Sequence, residues 1–255
     1  MHSKLLNCLQ SSPRDDRVQP MFIGHFAAGF AAKKLAPEIS LGTLFLAAQL
    51  ADLIWPTLVT LGIEQVEIAP GITAVTPLDF VSYPFSHSLV ALCLWSAIFA
   101  VLYGWLRRSR VAALTLALLV ISHWILDFIT HRPDVPVDFA ASYRVGLGLW
   151  NSIPGTLALE VPLLLVGVAL YARSTRARDR IGTIAFWALV VFLLAVYVGS
   201  IWGPPPPSVQ ALTWSAQAIW ILIAWGYWID RHRQPIRQTE PSTQYGVSPP
   251  STLID

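Results

Sequence analysis

Seven apolar stretches, at residues 21–36, 40–61, 84–106, 111–130, 150–171, 181–202 and 209–229, follow one another with scarcely a charge inside them. That feature decides which solvent the chain is built for. A helix needs about 20 apolar residues to cross the ~30 Å hydrocarbon core of a bilayer. Inside the runs the apolar character is nearly continuous, without the period-two alternation of a barrel strand, so each stretch predicts a helix. Charged residues make up only 13% of the chain, against about a quarter in a soluble domain, and a water-facing surface cannot be built from so few. The expected fold is all-α: a polytopic transmembrane bundle over residues 21–230 with about six to seven membrane helices. Its partners are then the lipid bilayer and a lipid-like substrate, and no nucleic acid is expected.

Lysine and arginine orient the bundle. One set of connections holds Lys33, Lys34, Arg107, Arg108, Arg110, Arg173, Arg176, Arg178, Arg180, Arg231, Arg233 and Arg237. The alternate loops hold only Arg132 and Arg144 beside Glu64, Glu67, Asp79, Asp134 and Asp138. The positive-inside rule assigns the basic set, and with it the C-terminus, to the cytoplasm. The 62–83 loop, the 131–149 loop and the Gly203–Pro207 turn then face outward. Trp105 and Trp228 fit an inner aromatic belt, and Trp55, Trp150 and Trp202 an outer one. The first run is short and ends at Lys33–Lys34, so it spans only with help from snorkelling. Residues 1–20 read as a polar N-terminal extension without a signal-peptide core, with Met21 as an alternative start. Residues 231–255, rich in Ser, Thr, Pro and Gln, read as a disordered cytoplasmic tail. Cys8 lies in a polar flank and Cys93 in an apolar run, so neither a disulfide nor a thiolate metal site is expected.

Ionisable groups within apolar runs are expensive and call for a reason. Depth along each predicted helix, at about 1.5 Å per residue, brings His25, Asp52, His87, His123, Asp127 and His131 to one layer near the outer face. The sharpest local signal is Ser122-His-Trp-Ile-Leu-Asp-Phe-Ile-Thr-His131, where His123, Asp127 and His131 recur every fourth residue and share one helix face. A histidine and a carboxylate one turn apart can ligate a single ion. Imidazole with carboxylate suits Zn²⁺, Mn²⁺ or Fe²⁺, of which Zn²⁺ is the commonest catalytic choice. A cation also offsets the cost of burying Asp52 and Asp127. Each group has a plainer explanation too: the His123–Asp127 pair as an interhelical hydrogen bond, His87 after Pro84 as an interfacial cap, Glu160 as a packing or proton-coupling group, and Asn151 and Arg132 as interface residues.

Met21-Phe-Ile-Gly-His25-Phe, Leu50-Ala-Asp52, Phe85-Ser-His87-Ser-Leu89 and His123-Trp-Ile-Leu-Asp127 occur in that order. Over about residues 21–171 this spaced set resembles the membrane-bound, LexA-binding family of metal-dependent hydrolases. The resemblance implies a bundle of membrane helices, with metal-ligand roles for His25, Asp52, His87, His123 and Asp127. Ala51, Ile54 and Ser82 depart from the family's pattern, which has a Pro, a second Asp and a further His-Arg pair in that region, so one metal is expected rather than two. The leading expectation is a hydrolase holding one divalent transition metal, Zn²⁺ by preference. Its catalytic groups are Asp52, Asp127 and His131, one of them as general base, and its substrate is amphiphilic or a phosphoester. The rival expectations are a permease or proton-coupled carrier, favoured by Glu160 and Gly155, and a membrane protein with an inert polar cluster.

Overall fold

A computed structural model of the chain describes residues 23–236. The polar N-terminal extension, the alternative start at Met21 and all of the tail from residue 237 lie outside the described residues. The described chain is mostly helical. It opens with α1 (Ile23–Ala32), α2 (Leu41–Ala48) and α3 (Leu50–Thr60), followed by a hairpin of β1 (Gln65–Ile68) and β2 (Leu78–Ser82). A short α4 (Pro84–His87) leads into α5 (Leu89–Arg107) and α6 (Arg110–Thr130). A second small hairpin joins β3 (Val135–Pro136) to β4 (Arg144–Val145), and a 3₁₀ turn at Leu149–Asn151 enters α7 (Ile153–Ser174). After β5 (Thr175–Ala177) come α8 (Arg180–Trp202), α9 (Val209–Ala216) and α10 (Ile219–Arg231), and β6 (Arg233–Pro235) returns to pair with β5. The all-α expectation therefore holds for the bundle, while the described residues also carry three two-stranded sheets, two of them hairpins, that apolar patterning did not announce.

Among the described residues four helices, α5 to α8, are long and apolar enough to cross a membrane, or five spans if α2 and α3, bent by 56°, count as one. That is fewer than the six or seven read from apolar runs. The first run yields only the ten-residue α1, roughly 15 Å long, and the last run breaks at Gln217–Ala218 into α9 and α10. Apolar residues do not reveal such breaks, because a helix interrupted inside a bundle can satisfy its freed backbone groups on neighbouring helices. The long helices expose apolar side chains outward, Val101 and Leu102 on α5, Leu114 and Leu118 on α6, Val166 on α7 and Val191 and Val198 on α8. Such a continuous apolar exterior belongs to a protein surrounded by lipid.

Serine and aspartate set where the long helices begin. The side chains of Ser88, Ser109, Ser152 and Asp179 accept from the backbone N–H groups of Ala91, Ala112, Gly155 and Gly182, a cap worth about 1 kcal/mol each. The short α1 is buried between α6 and α7. Gly167 makes that possible, since a Cβ there would strike the Ala27 carbonyl oxygen. The phenyl rings of Phe26, Phe30 and Phe45 pack edge to face behind α1 and continue to Tyr171 and Phe186.

The two ends of the bundle differ. At one end the 62–83 and 131–149 loops form a single cap: Val75 donates to the Trp150 carbonyl, Arg144 to the Val81 carbonyl and Val90 to the Val137 carbonyl. Arg132, expected only at the interface, bridges Asp79 of one loop to Asp134 of the other. At the opposite end lie the β5–β6 pair and a buried ion pair between Lys33 and Asp230, 2.7 Å apart. Lys33 therefore does not snorkel to water: its ammonium donates to Asp230 and to the Ile39 carbonyl, while Tyr171 and the Leu41 N–H complete the carboxylate's shell. The expected tail also begins later than residue 231, because Arg233 is buried against the rings of Tyr171 and Phe186 and hydrogen bonded to Thr175. Trp55 and Trp150 are core residues rather than part of an outer belt. Both pack against Phe80, beneath the loop cap.

Candidate metal centre

The six polar groups expected in one layer meet in one cluster, delivered by four helices. α1 supplies His25, α3 Asp52, α4 His87 and α6 His123 and Asp127, with His131 at the C-cap of α6. Asp127 is the hub. Its oxygens lie 3.3 Å from His25 Nε2, 3.3 Å from His123 Nε2, 3.9 Å from His87 Nε2 and 3.9 Å from His131 Nε2. Asp52 closes the other side, 3.4 Å from His87 Nε2 and 3.8 Å from His123 Nε2. The rings of His25 and His123 stack with centroids 3.7 Å apart. Ligand atoms of His25, Asp52 and His123, and of His87, His123 and Asp127, fall within 4.8 Å of one another. The two sets share His123, which makes them one centre.

Hydrogen bonding around the cluster fixes which histidine nitrogens face inward. His123 Nδ1 lies 2.8 Å from the Ala48 carbonyl, which can only accept, so Nδ1 carries the proton and Nε2 is left with a lone pair. The Ala48 carbonyl sits at the end of α2, at the break before α3. His87 Nδ1 is 2.6 Å from Ser86 Oγ, and Ser86 Oγ is 2.6 Å from Glu64 Oε2. A carboxylate accepts, so Ser86 donates to Glu64 and receives the His87 Nδ1 proton, which again leaves Nε2 free. Glu64 Oε1 is held in turn by the Phe85 and Ser86 N–H groups at 2.8 and 2.9 Å. His131 Nδ1 donates to Asp134 Oδ1 at 3.0 Å, and Tyr83 Oη donates to the same oxygen. Three imidazoles thus present bare Nε2 atoms to two carboxylates. A donor bound to the outer nitrogen of a ligating histidine is the usual support of a metal site.

The donor set passes a further test for a cation. His123 Nε2, Asp127 Oδ2 and His25 Nδ1 are buried and have no hydrogen-bond partner. Buried polar atoms are ordinarily paired, so unpaired ones converging on one point call for an occupant. Lone pairs facing carboxylates repel, and positive charge between them, a divalent cation or protons on Nε2, removes that cost.

The loop network behind His131 is strongly polarised. Burial pushes the Asp134 carboxyl up, but hydrogen bonds and charge from His131 and Arg132 more than offset this and hold it below its ordinary value. Burial, with the Asp134 and Asp127 charges beside it, pushes the Tyr83 hydroxyl well above the usual tyrosine range, so Tyr83 serves as a neutral donor. The Trp150 ring lies 4.1 Å from that of His131 and shields it.

Sequence reasoning found the inward-facing residues and missed their supports. Ser86 was visible in the Phe85-Ser-His87 motif, and Asp134 could have been paired with His131 at three-residue spacing. Glu64 gives no local signal, being 22 residues from the serine it binds. Asn151 takes no part in the cluster. Glu160 lies buried in α7 beside the buried Tyr197 of α8, the two side chains being each other's polar neighbours.

No protein-family model, curated protein or solved structure matches the chain. The functional reading therefore rests on the cluster itself.

Proposed function

We propose that the protein is a metal-dependent hydrolase of the bacterial inner membrane, as the resemblance of its spaced motifs to the LexA-binding hydrolase family implies. The short α1 and the broken α9–α10 pair complete its membrane bundle, and the C-terminus lies in the cytoplasm. The observation that carries the proposal is the convergence of Asp52 and Asp127 with three histidines whose outer nitrogens are occupied and whose Nε2 atoms are bare. His25, Asp52, His87, His123 and Asp127 would hold one divalent transition metal, with Zn²⁺ as first choice. Such an ion supplies Lewis acidity and lowers the pKa of coordinated water to about 7.

The remaining chemistry belongs to the side chains. His131 is the group best suited to accept a proton, at Nε2, because Asp134 receives its Nδ1–H and steadies the imidazolium that results. Arg132 and Tyr83 keep Asp134 ionised and oriented. Asp52 is the cluster's most accessible member, its side chain 24% exposed against 5% or less for the others, so a substrate approaches from its side. The loop cap and Trp150 keep water from the far side of the cluster. A substrate for such a site is amphiphilic or a phosphoester.

Elemental analysis of the purified protein tests the proposal. Near one equivalent of Zn²⁺, Mn²⁺ or Fe²⁺, lost in both His123→Ala and Asp127→Ala, is expected; a wild-type protein that binds none of these after loading refutes it. A second reading, a proton-coupled carrier, is favoured by Glu160 alone, since a carboxylate buried in a membrane helix is a common mark of an ion pathway. It predicts proton-driven uptake in vesicles that Glu160→Gln abolishes, from a protein that needs no metal.

A further inference from the structure

A cavity of about 400 Å³ opens beside the cluster, within the ~300–1,000 Å³ range of small-molecule sites. Its inner end is formed by Asp52 and Trp55 of α3, and its floor by Leu212, Ile219 and Leu222. The cavity lies where the last apolar run breaks, with Ala216 and Ala218 on either side of the gap between α9 and α10. Gln217 at that break donates to Thr57 Oγ1 at 3.0 Å and so pins it to α3. The small alanines leave the space that larger residues would fill.

Among the polar side chains of the lining, Trp55 Nε1, at the inner end with Asp52, is a donor left without a partner, while those further out are already engaged. Ser200 Oγ donates to the Tyr197 carbonyl, Ser215 Oγ to the Leu212 carbonyl and Trp225 Nε1 to the Ala185 carbonyl. Outward of Trp55 a polar ligand body would lose its water and find no free donor to replace it, so polar recognition is confined to the inner end. The mouth is flanked by Phe192, Val196 and Ile221, all exposed on the outer faces of α8 and α10. Val191 and Val198 continue that apolar surface along α8. The cavity therefore opens sideways onto the face that meets lipid, not onto either polar end.

We propose that this cavity seats the hydrocarbon chain of a lipid substrate that enters laterally from the bilayer, with its polar headgroup bond held at Asp52. The proposal rests on the metal-centre reading for the chemistry done at the headgroup and deepens it by assigning the substrate class. It is also independent of that reading in its observation, which is an apolar channel joining the cluster's accessible carboxylate to the membrane. A water-soluble substrate would require an opening through the loop cap, where Glu64, His87 and Trp150 are buried.

The test uses the full-length protein in lipid nanodiscs with dodecyl phosphate carrying a diazirine in its chain; phosphate is chosen because an anionic oxygen group suits a cation held by the cluster. After irradiation, labelled peptides are mapped by mass spectrometry and bound metal is measured on the same sample. Saturable labelling is expected on α8 around Phe192–Ser200 and on α9 and α10 between Leu212 and Trp225, displaced by unlabelled dodecyl phosphate. Ala216→Trp, which fills the cavity, should cut that labelling by about tenfold or more while metal stays bound. Should Ala216→Trp lose metal or fold, Leu222→Trp and the wild-type competition map decide instead. Labelling spread over α5 and α6 in proportion to exposure, or undiminished by competitor, overturns the proposal. Bound metal with unsaturable labelling would sink the lipid seat alone, and saturable labelling without metal would sink the metal centre alone.

Discussion

Replacing Glu64 by Gln should weaken metal binding without touching a ligand. The two backbone N–H groups of Phe85 and Ser86 point at Glu64 Oε1. In the variant they force the amide oxygen to stay there, since the amide nitrogen would face two donors. The amide nitrogen then takes the place of Oε2 and donates towards Ser86 Oγ, whose own hydrogen loses its carboxylate and turns to His87 Nδ1 or to the Tyr83 carbonyl. The hold on the His87 Nδ1 proton weakens, and the tautomer with its proton on Nε2, aimed at Asp52 and Asp127 instead of at a cation, gains population. Loss of such outer support costs about 10- to 100-fold in metal affinity, or ~1.4–2.8 kcal/mol. A competition titration of the purified protein against a fluorescent chelator measures it, with thermal unfolding of metal-free protein as a control for folding. Ser86→Ala should give a loss of similar size. If Glu64→Gln folds normally and binds metal with wild-type affinity, the inferred tautomer of His87 is wrong, and with it the ligand role of that histidine.

Three further outcomes are expected. Asp127→Asn should reduce bound metal to background; stripping the metal from the wild type should lower its melting temperature, because a ligand at 100 times its Kd stabilises by about 2.7 kcal/mol. Asp134→Asn should destabilise the metal-free protein at neutral pH. The Asp134 pKa is depressed on folding, so its contribution is present above the unfolded value of about 3.9 and disappears as pH falls through the lower folded value. The melting-temperature gap between wild type and Asp134→Asn should therefore narrow below about pH 4, and a gap independent of pH would contradict the assignment. Lys33→Met should strand Asp230 and cost about 3–5 kcal/mol, most of it recovered by adding Asp230→Asn; equal stability of single and double variants in denaturant titrations would refute the buried pair.

Dipoles and charges at the two ends of the bundle differ in a way the loops made legible. The basic connections and the acidic loops are separate in the sequence, and the fold keeps them apart, with Arg176 and Arg233 in the β5–β6 pair and Glu64, Asp79 and Asp134 in the cap. The cap is nevertheless more than a charge signal. Arg132, which looked like an interfacial residue, fastens one loop to the other and helps to orient the carboxylate behind His131.

The amino-acid sequence by itself determined the solvent, the helical class and the inward-facing groups. Long uncharged runs leave no other economical fold, and imidazoles or carboxylates inside them are too costly to be idle. The i, i+4 spacing of His123, Asp127 and His131 is enough to put all three on one helix face. Tertiary structure alone decided how many helices are long enough to span, because breaks at Gln49 and Gln217 depend on partners that neighbouring helices supply. It also decided that Trp55 and Trp150 are buried, that Lys33 is paired, and that Glu64 supports His87 through Ser86. The physical reason is common to these cases. Hydropathy and spacing are local properties, whereas a hydrogen bond between residues far apart in the chain exists only once packing has brought donor and acceptor within about 3 Å.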